Sequence, residues 1–489
     1  MTGTADLIAL VSRISGARVL CVGDVMLDRF ISGEVERISP EAPVPVLRIS
    51  DEKAMLGGAG NVARNIVALG GQVTLAAVVG EDAAGQQIEA ELRGLGRATA
   101  RLVIDPSRPT AIKTRFLAGT QQMLRADAET SEPLDPDSGD ALMRIVEEAL
   151  AEHQIVVLSD YGKGVFANGR AAELIDLARA QGKPVIVDPK GINYAIYRGA
   201  SLITPNRKEL REASGGNVDD ADAAASAAGD LRSAHDLDAV LVTLSQDGMV
   251  LVSDQSTTHL AAETREVFDV SGAGDTVVAT LAGALAAEAD LIDAARLGNI
   301  CAGIVVGKVG TAAAYLTDVI TTLHHQDISR AEAKLLAVEQ ARDRVEVWRR
   351  QGLKVGFTNG CFDLLHPGHI SLLSQARRAC DRLIVGLNSD GSVARLKGPE
   401  RPVQNEAARA TVLASLSSVD LCVIFDDDTP MALIKTLKPD VLIKGADYAV
   451  ADVVGASEVK SWGGEVVLAD LEDGFSTTAT IARMNADPA

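Results

Sequence analysis

The regular alternation of short β-branched runs with Ala- and Leu-rich stretches is the feature that most constrains the fold of this chain. Strands separated by helices predict parallel sheets with helices on both faces, an α/β architecture. Such sheets bind ligands at the carboxyl ends of their strands, so the residues after each run deserve inspection for function. The strand candidates of the N-terminal half are Arg18–Val22, Val73–Val79, Ile155–Ser159, Pro184–Asp188, Ala239–Thr243 and Met249–Val252.

One segment, residues 320–352, interrupts this alternation. Ser329 and Glu332 have the spacing of a capping box and Gly352 is typical of a helix end, so the segment predicts one or two turns followed by a long polar helix. A strand at Lys354–Thr358 then begins a second alternating series. At 489 residues the chain also exceeds what one ordinary core supports. We predict a doubly wound domain over residues 1–325, a helical linker over 326–352 and a smaller Rossmann-like domain over 353–489.

Charge and cysteine usage exclude several classes of partner. The formal net charge of −20 argues against nucleic acid and anionic membranes, because an acidic surface repels both. The N-terminus lacks the pattern of a secretory signal, and the longest apolar stretch, Val277–Ala287, is too short to span a bilayer and predicts a buried helix. Five cysteines lie far apart without a CxxC pair, which favours a reducing cytoplasm over disulfides or zinc.

Two glycine clusters in the first half suggest a phosphate-binding function. Gly58–Ala63 matches G-x-G-x-x-A, with Glu81 at the spacing of a dinucleotide site. That motif should close the first strand of a βαβ unit, yet the first predicted strand ends at Val22, and Asp51–Leu56 does not have the pattern of a strand running into the glycines. The dinucleotide interpretation is therefore disfavoured, and a P-loop is absent because no Gly-Lys pair of this half precedes Ser or Thr.

The second cluster, Asp269–Thr276, leads into the apolar helix. Gly272 and Gly274 leave backbone N–H groups accessible at a helix N-terminus, where the helix dipole favours an anion. Asp275 lies in the first turn, where it has the chemistry to accept a proton from a substrate hydroxyl during phosphoryl transfer. The alternative is an aspartate that merely caps its helix, and the isolated cluster does not decide between the two.

Together, Gly57–Ala63 and Asp269–Thr276 resemble the paired signatures of the ribokinase-like (PfkB) sugar kinases, over roughly residues 10–320. This resemblance implies that Asp275 is the catalytic base and that Gly272, Ala273 and Gly274 form an anion hole. It also implies sugar contacts from Asp24, Asp28, Gly58 and Asn61. ATP contacts would come from Asn206, Arg207, Lys208, Glu209, Thr243, Gly248 and Asn299, with Glu209 as a ligand for Mg²⁺.

A cationic segment bears on the substrate of this half. Lys113 and Arg115 alternate on one face of a predicted strand, and Arg125 follows nearby among polar residues. Such a cluster suits a sugar that already carries a phosphate, because arginine binds phosphate in a forked geometry. A solvated edge strand whose charges deter aggregation explains the composition equally well.

In the second half, two histidines three residues apart follow a predicted strand. His366 and His369 open a helix on the same side, and Gly368 between them permits close approach of a nucleotide. H-x-x-H without further Cys or His is poor zinc spacing. A lone pair of histidines is more often structural, but H-x-G-H between a strand and a helix favours donation to phosphate oxygens.

This half resembles the cytidylyltransferase-like nucleotidyltransferases over about residues 354–485, through His366–His369, Asn388–Asp390, Arg395–Gly398 and Lys444–Tyr448. The implied chemistry is attack of a sugar phosphate on the α-phosphorus of ATP, with release of pyrophosphate. His366, His369, Lys397 and Lys444 would stabilise the charge. Nucleotide contacts would come from Phe357, Asn359, Gly360, Arg409, Ser476, Thr477 and Thr478. Cys361 stands where many relatives have Thr or Ser, and we interpret it as a packed side chain rather than a nucleophile.

The order of the two halves, with the segments 113–127 and 359–369 both present, resembles the bifunctional heptose kinase/adenylyltransferases of lipopolysaccharide inner-core synthesis. This resemblance implies phosphorylation of heptose 7-phosphate at C1 and, after a separate phosphatase, formation of ADP-heptose. It implies sugar phosphates and ATP as partners, Mg²⁺ as cofactor and a homodimer formed through the kinase domain. The alternatives are a kinase for another sugar fused to a CTP-dependent transferase, and a fusion in which one half only senses nucleotide.

Overall fold

A computed structural model describes residues 4–119, 121–263, 270–308, 312–446 and 449–470, and side chains there except at residues 326–331. The chain divides into two compact units, Met1–Leu323 and His324–Ala489. Within the described residues, none of the helices is both long and apolar enough to cross a membrane.

The first unit contains two sheets and the helices that cover them. Its strands are β1 (Arg18–Gly23), β2 (Val25–Ile38), β3 (Pro45–Gly58), β4 (Gln72–Val79), β5 (Ala98–Ile104), β6 (Ala111–Ala118), β7 (Gln121–Ala128), β8 (Ile155–Ser159), β9 (Val185–Asp188), β10 (Leu202–Ile203), β11 (Ala239–Thr243), β12 (Met249–Ser253) and β13 (Thr257–Leu260). Its helices are α1 (Thr4–Arg13), α2 (Ala59–Ala68), α3 (Ala83–Gly94), α4 (Pro136–Leu150), α5 (Arg170–Ala180), α6 (Arg207–Ser214), α7 (Ala221–Ala234), α8 (Ala273–Ala286) and α9 (Leu291–Val306), with α10 (Leu316–Glu332) crossing into the second unit.

The large sheet has the strand order β13-β12-β11-β10-β9-β8-β1-β4-β5. The predicted strands all belong to it, and those up to β11 are parallel to their neighbours. The run at Met249–Ser253 was expected in a parallel sheet and is instead antiparallel to β11, because a short turn joins the two strands. Apolar clusters cover both faces of the sheet, and the apolar stretch at Val277–Ala287 lies largely in the buried helix α8 as predicted.

The small sheet, β3-β2-β6-β7, is where sequence patterns were least informative. The expectation that Asp51–Leu56 is not a strand is wrong, since β3 runs through this segment to Gly58. The outer part of the β2–β3 hairpin consists largely of exposed charged and polar residues. It therefore lacks the alternation of apolar and polar residues by which a strand is recognised in sequence. A dinucleotide site at Gly58–Ala63 stays disfavoured, because β3 pairs antiparallel with β2 and does not belong to the large parallel sheet.

The second unit is built on one parallel sheet with the strand order β16-β15-β14-β17-β18. Its strands are β14 (Val355–Gly360), β15 (Arg382–Asn388), β16 (Leu421–Phe425), β17 (Val441–Gly445) and β18 (Glu465–Ala469). Its helices are α11 (Val338–Arg350), α12 (Pro367–Arg378), α13 (Asp390–Lys397), α14 (Glu406–Ala414), α15 (Met431–Leu437) and α16 (Ala456–Ser461). Both faces of the sheet carry buried apolar clusters.

The segment 320–352 was predicted as one or two turns followed by a long helix, and it folds differently. Ser329 does not begin a helix but lies inside α10, and the second helix, α11, begins after Ala337. The helix end is as predicted, since α11 stops at Arg350 just before Gly352, whose φ of +74° suits glycine. One face of α11 contributes Val345 and Trp348 to the core of the second unit.

Candidate active sites

The N-terminus of α8 forms the centre of the first site. Gly272 precedes the helix with a φ of +79°, and a Cβ on Gly274 would meet no atom within 4 Å, so open space lies beside the helix start. Asp275 lies in the first turn and is 5% exposed. One of its carboxylate oxygens accepts a hydrogen bond from Asn61 Nδ2 at 2.6 Å and the other from the Tyr161 hydroxyl at 2.5 Å. Asp275 therefore does not cap its helix, and its carboxylate is directed at residues from distant parts of the chain.

Tyr161 is a residue of this site that motif analysis did not identify. It follows β8 at the carboxyl edge of the large sheet, which is the position where functional residues were expected. Its backbone N–H donates to Asp24 Oδ2 at 2.8 Å, and Lys163 N–H donates to the same oxygen at 3.0 Å. Tyr161 thus contacts Asp24 through its main chain and Asp275 through its side chain.

Burial controls the electrostatics of the two aspartates. It raises the pKa of Asp275 to about 6, although hydrogen bonds from Tyr161 and Asn61 counteract the effect, and the negative charge of Asp28 adds to it. Burial likewise raises the pKa of Asp24 to about 6 against the backbone hydrogen bonds that it accepts. A carboxylate with a pKa near neutrality is well suited to take up a proton.

The residues predicted to hold sugar hydroxyls lie together around Asp275. Asn61 contacts Asp275 directly, and its own Oδ1 accepts from Arg64 at 2.9 Å. Gly58 has a φ of +57°, and a Cβ there would lie 2.4 Å from the backbone oxygen of Asp24, so the fold requires glycine. Asp28 Oδ1 accepts a hydrogen bond from Arg115 at 2.7 Å.

The predicted phosphate-binding cations are each held by carboxylates. Lys113 lies 3.2 Å from Glu129, and Arg115 is bound to Asp28 as described. Lys163, which was not predicted, donates to Glu129 at 2.6 Å and so joins this group. Arg125 pairs with Asp127 and its side chain is 52% exposed on the edge strand β7, where it fits a solvated edge as well as a ligand site.

The residues predicted to contact ATP follow β10 and β11, except Asn299, which lies on α9. Asn206 caps α6 in a capping box with Glu209 and forms a bridge with Thr243. Arg207 does not extend outward but donates to backbone oxygens of residues 218 and 219 and to Asp247, so it stabilises this loop. Three further residues have local roles: Lys208 forms an exposed ion pair with Glu212, Gly248 has a φ of +83° with no room for a Cβ, and Asn299 donates to the backbone oxygen of Ala261 at 2.6 Å.

Glu209 is the predicted magnesium ligand. One of its oxygens accepts from Lys190 at 3.0 Å and the other from the backbone of Asn206. Asp188 lies close enough that the charges of Asp275 and Glu209, after burial, raise its pKa well above the usual range. Among the described residues no group of three or more His, Cys, Asp or Glu side chains has the arrangement of a metal site.

In the second unit the two histidines stack on each other at the start of α12. The ring centroids of His366 and His369 are 3.8 Å apart, and Phe362 packs 5.1 Å from His369. Burial, with the neighbouring His366 as a smaller cause, lowers the pKa of His369 to about 4, and burial also lowers that of His366. Both imidazoles are therefore neutral near pH 7 and donate N–H groups rather than a formal charge.

The remaining predicted residues of this unit divide between the site and the core. Lys444 extends from β17 to the backbone oxygen of Asn359 at 3.1 Å, beside Gly360 at the end of β14. Lys397 ends α13 with an exposed side chain. Phe357 is fully buried in the core, so only its backbone is available to a ligand. Ser476, Thr477 and Thr478 lie outside the described residues.

Arg409 is fully buried, and its guanidinium is largely occupied within the protein. It donates to the backbone oxygens of Cys361 at 2.6 Å, Asn388 at 2.9 Å and Gln404 at 2.9 Å, and to Asp390 at 2.7 Å. Arg409 therefore lies in the core of the unit, where its hydrogen bonds hold these backbone segments together. Burial raises the pKa of the Cys361 thiol, which favours the packed, unreactive state predicted for it.

Comparison with known proteins gives the family of each unit. Residues 17–318 match the pfkB family of carbohydrate kinases and residues 357–483 match the cytidylyltransferase-like family. The bifunctional protein HldE of Paramagnetospirillum magneticum is 58% identical, covering 99% of this chain and 100% of its own. HldE of Rhodospirillum rubrum is 57% identical, covering 99% of this chain and 98% of its own. HldE of Caulobacter vibrioides is 56% identical, covering 96% of this chain and 97% of its own. The chain belongs to the bifunctional HldE family. It is therefore an enzyme that joins an ATP-dependent carbohydrate kinase to a nucleotidyltransferase, and the predicted family and enzyme class are confirmed.

Solved structures similar to this HldE family member match the first unit. Phosphofructokinase-2 from Escherichia coli in complex with potassium has a TM-score of 0.54 at 23% identity, covering 63% of this chain and 98% of its own. Arabidopsis thaliana ribokinase complexed with ribose and ATP has a TM-score of 0.50 at 19% identity, covering 63% and 99%. At these identities the likeness concerns the fold, and it confirms the predicted ribokinase-like architecture.

Proposed function

We propose that this enzyme carries out two steps of ADP-heptose synthesis, phosphorylation of heptose 7-phosphate at C1 and transfer of AMP from ATP to heptose 1-phosphate. The observation that best supports the kinase step is the buried Asp275 carboxylate, held by Tyr161 and Asn61 at the opening of α8. The full-length identity to HldE proteins supports the pairing of the two reactions.

In the kinase step, Asp275 takes the proton of the anomeric hydroxyl as the sugar oxygen attacks the γ-phosphorus of ATP. The bond from γ-phosphorus to the bridging oxygen breaks, and ADP leaves. Gly272, Ala273 and Gly274 place the N-terminal dipole of α8 beside the transferring phosphoryl group. Asp24 and Asn61 orient the sugar, and Lys113 and Arg115, after rearrangement of their carboxylate partners, hold its 7-phosphate.

We propose that Glu209 would hold Mg²⁺ in this site, where the ion would supply positive charge to offset that of the ATP phosphates. Both oxygens of Glu209 accept hydrogen bonds, one from Lys190 and one from the backbone of Asn206.

In the adenylyl transfer step, a phosphate oxygen of the sugar attacks the α-phosphorus of ATP and pyrophosphate leaves. His366 and His369 donate neutral N–H groups to the phosphates, and Lys397 and Lys444 supply positive charge. Asn359 and Gly360 lie at the carboxyl end of β14, where we place the nucleotide. The 7-phosphate must be removed by another enzyme between the two steps, so we propose no channel between the units.

The two site assignments are tested by a pair of substitutions in the whole enzyme. We expect Asp275→Asn to abolish phosphorylation of heptose 7-phosphate and to leave ADP-heptose formation from heptose 1-phosphate unchanged, and His369→Ala to have the reverse effect. ADP and pyrophosphate release would be measured separately with each substrate. A kinase rate within a few-fold of the wild type in Asp275→Asn would show that Asp275 is not the base.

Nucleotide competition tests the alternative activity. If CTP supported transfer to heptose 1-phosphate as well as ATP does, the second unit would belong to the CTP-dependent class. If one half bound nucleotide without turnover on any sugar phosphate, that half would be a sensing module. We expect neither result, because the chain is similar to HldE proteins over almost its full length.

We also propose that the enzyme is a cytoplasmic homodimer formed through the small sheet of the kinase unit. Large apolar side chains are exposed on this sheet and its hairpin connection, including Ile38, Val44, Ile49, Met123 and Leu124. Exposed apolar patches and unpaired strand edges favour association with a second surface, and the outer edges of β3 and β7 are both unpaired within the described chain. A second copy of the same sheet provides a complementary apolar surface.

A further inference from the structure

We infer that Tyr161 is a positioning residue of the kinase reaction, whose hydroxyl holds the Asp275 carboxylate in the orientation that receives the substrate proton. This inference rests on the proposed role of Asp275 as the base. It starts from the 2.5 Å hydrogen bond between Tyr161 Oη and Asp275 Oδ1, which joins residues 114 positions apart in sequence.

The carboxylate of Asp275 is fixed from two sides. Asn61 Nδ2 donates to Oδ2 and the Tyr161 hydroxyl donates to Oδ1, so rotation of the carboxylate would break one of the two bonds. Each carboxylate oxygen has a second lone pair, so an oxygen already bound in this way can still accept the substrate proton. The two donors thus fix the orientation of the Asp275 carboxylate and still leave it able to accept the substrate proton.

The segment that carries Tyr161 is itself held firmly. Its backbone N–H is bound to Asp24, and the preceding Asp160 accepts from the Tyr197 hydroxyl at 2.6 Å and from the N–H of Gly162 at 2.7 Å. Asp24 is one of the residues that we propose to orient the sugar. The same residue, Tyr161, therefore sets the position of the base relative to a sugar-binding carboxylate.

Charged groups from several elements face Asp275, and their effects set the direction of the test. Burial and the charge of Asp28 raise the pKa of Asp275, whereas Tyr161, Asn61 and Arg64 lower it. The groups that face Asp275 are Cys21 on β1, Asp28 on β2, Asn61 and Arg64 on α2, Tyr161 after β8 and Asp188 on β9. Burial and the neighbouring carboxylates keep the pKa of Tyr161 well above 10, so its hydroxyl remains a donor throughout.

The test is the pH dependence of kcat for the kinase reaction in Tyr161→Phe. Loss of a hydrogen bond to an ionised carboxylate should move the acid limb of the profile upward by about one pH unit, with roughly a tenfold loss of rate below it. We expect KM for the sugar phosphate to stay within about twofold, because the hydroxyl does not bind substrate. Tyr194→Phe is the matched control, since Tyr194 is 1% exposed and its hydroxyl has no hydrogen-bond partner among the described residues.

A second variant covers the case in which Tyr161→Phe does not fold. Replacement of Tyr161 by 3-fluorotyrosine keeps the shape and makes the phenol a stronger donor, so the acid limb should move to lower pH. An unmoved acid limb in either folded variant, or a rise in KM with kcat unchanged, would overturn the inference. These results are separable from failure of the base assignment, which would appear as retained activity in Asp275→Asn.

Discussion

At the scale of single residues, the burial of Asp275 that would suit its proposed role as a base also opposes stability. Its pKa in the folded protein, about 6, lies above the value of 3.8 for an unperturbed aspartate, so protonation favours the folded state. The stabilisation is fully present below pH 3.8 and is lost as pH rises through 6. Above pH 6 the kinase unit therefore contains a buried negative charge, which lowers its stability relative to an uncharged side chain at the same position.

Asp275→Asn should for this reason stabilise the kinase unit at pH 8. A shift of this size corresponds to about 3 kcal/mol for a buried group, and the gain should shrink below pH 6 and disappear near pH 4. Hydrogen exchange of the α8 amides, measured by mass spectrometry at several pH values, reports this unit alone. Equal protection of the two proteins at pH 8 would contradict the expected cost of the buried charge.

Sequence patterns singled out Asp275 and His369 as candidates because each belongs to a local motif that suits a definite chemical role. They could not locate Tyr161 as a partner of Asp275, since a single tyrosine after a strand carries no such signal and the contact depends on how β8 and α8 meet. The same limit applies to Arg409, which was predicted to contact nucleotide. Its type and position suited a ligand site, whereas its full burial and its hydrogen bonds to the protein are properties of the folded chain.

At the scale of elements, α11 was predicted as part of a linker, and the structure packs it against the second sheet. Its polar sequence concealed this, because only a narrow stripe that includes Ala341, Val345 and Trp348 is buried. We propose that this helix is an integral part of the nucleotidyltransferase domain. The β2–β3 hairpin was missed for a related reason, since strands that project from the main sheet expose most of their side chains.

Trp348→Ala tests the role of α11. Trp348 is 8% exposed in the core cluster, and removal of a buried tryptophan side chain typically costs about 3–5 kcal/mol. We expect the second unit to unfold at lower urea concentration. Adenylyl transfer should be lost, whereas kinase activity should be fully retained. The remaining tryptophan, Trp462, lies in the same unit and serves as its fluorescence probe.

The control for this experiment lies on the same helix. Val347 is 44% exposed, so Val347→Ala removes a side chain of α11 without opening the core. Ala has a higher helix propensity than Val or Trp, so neither substitution weakens the helix through propensity. Comparable destabilisation by the two substitutions would mean that the loss does not depend on packing of the tryptophan in the core.

At the scale of the whole molecule, the proposed dimer predicts a change in assembly from surface substitutions alone. Ile49 and Leu124 are 59% and 58% exposed on the small sheet. The double substitution Ile49→Lys and Leu124→Lys should convert a dimer to a monomer in sedimentation velocity experiments, because paired surfaces would bury uncompensated charge. Ile104→Lys, at a 62% exposed position on β5, should leave the dimer intact. A wild-type protein that is monomeric at micromolar concentration would exclude this interface.

The raised pKa of Asp275 also determines how the proposed kinase reaction should respond to acid. With Asp275 as the proposed base, about half of its carboxylates are protonated near pH 6 and cannot accept a proton from the sugar, so we expect phosphorylation to slow there. The pKa of His369 is about 4, so we expect adenylyl transfer to continue at that pH. Acidification should therefore slow the first of the two proposed steps before the second.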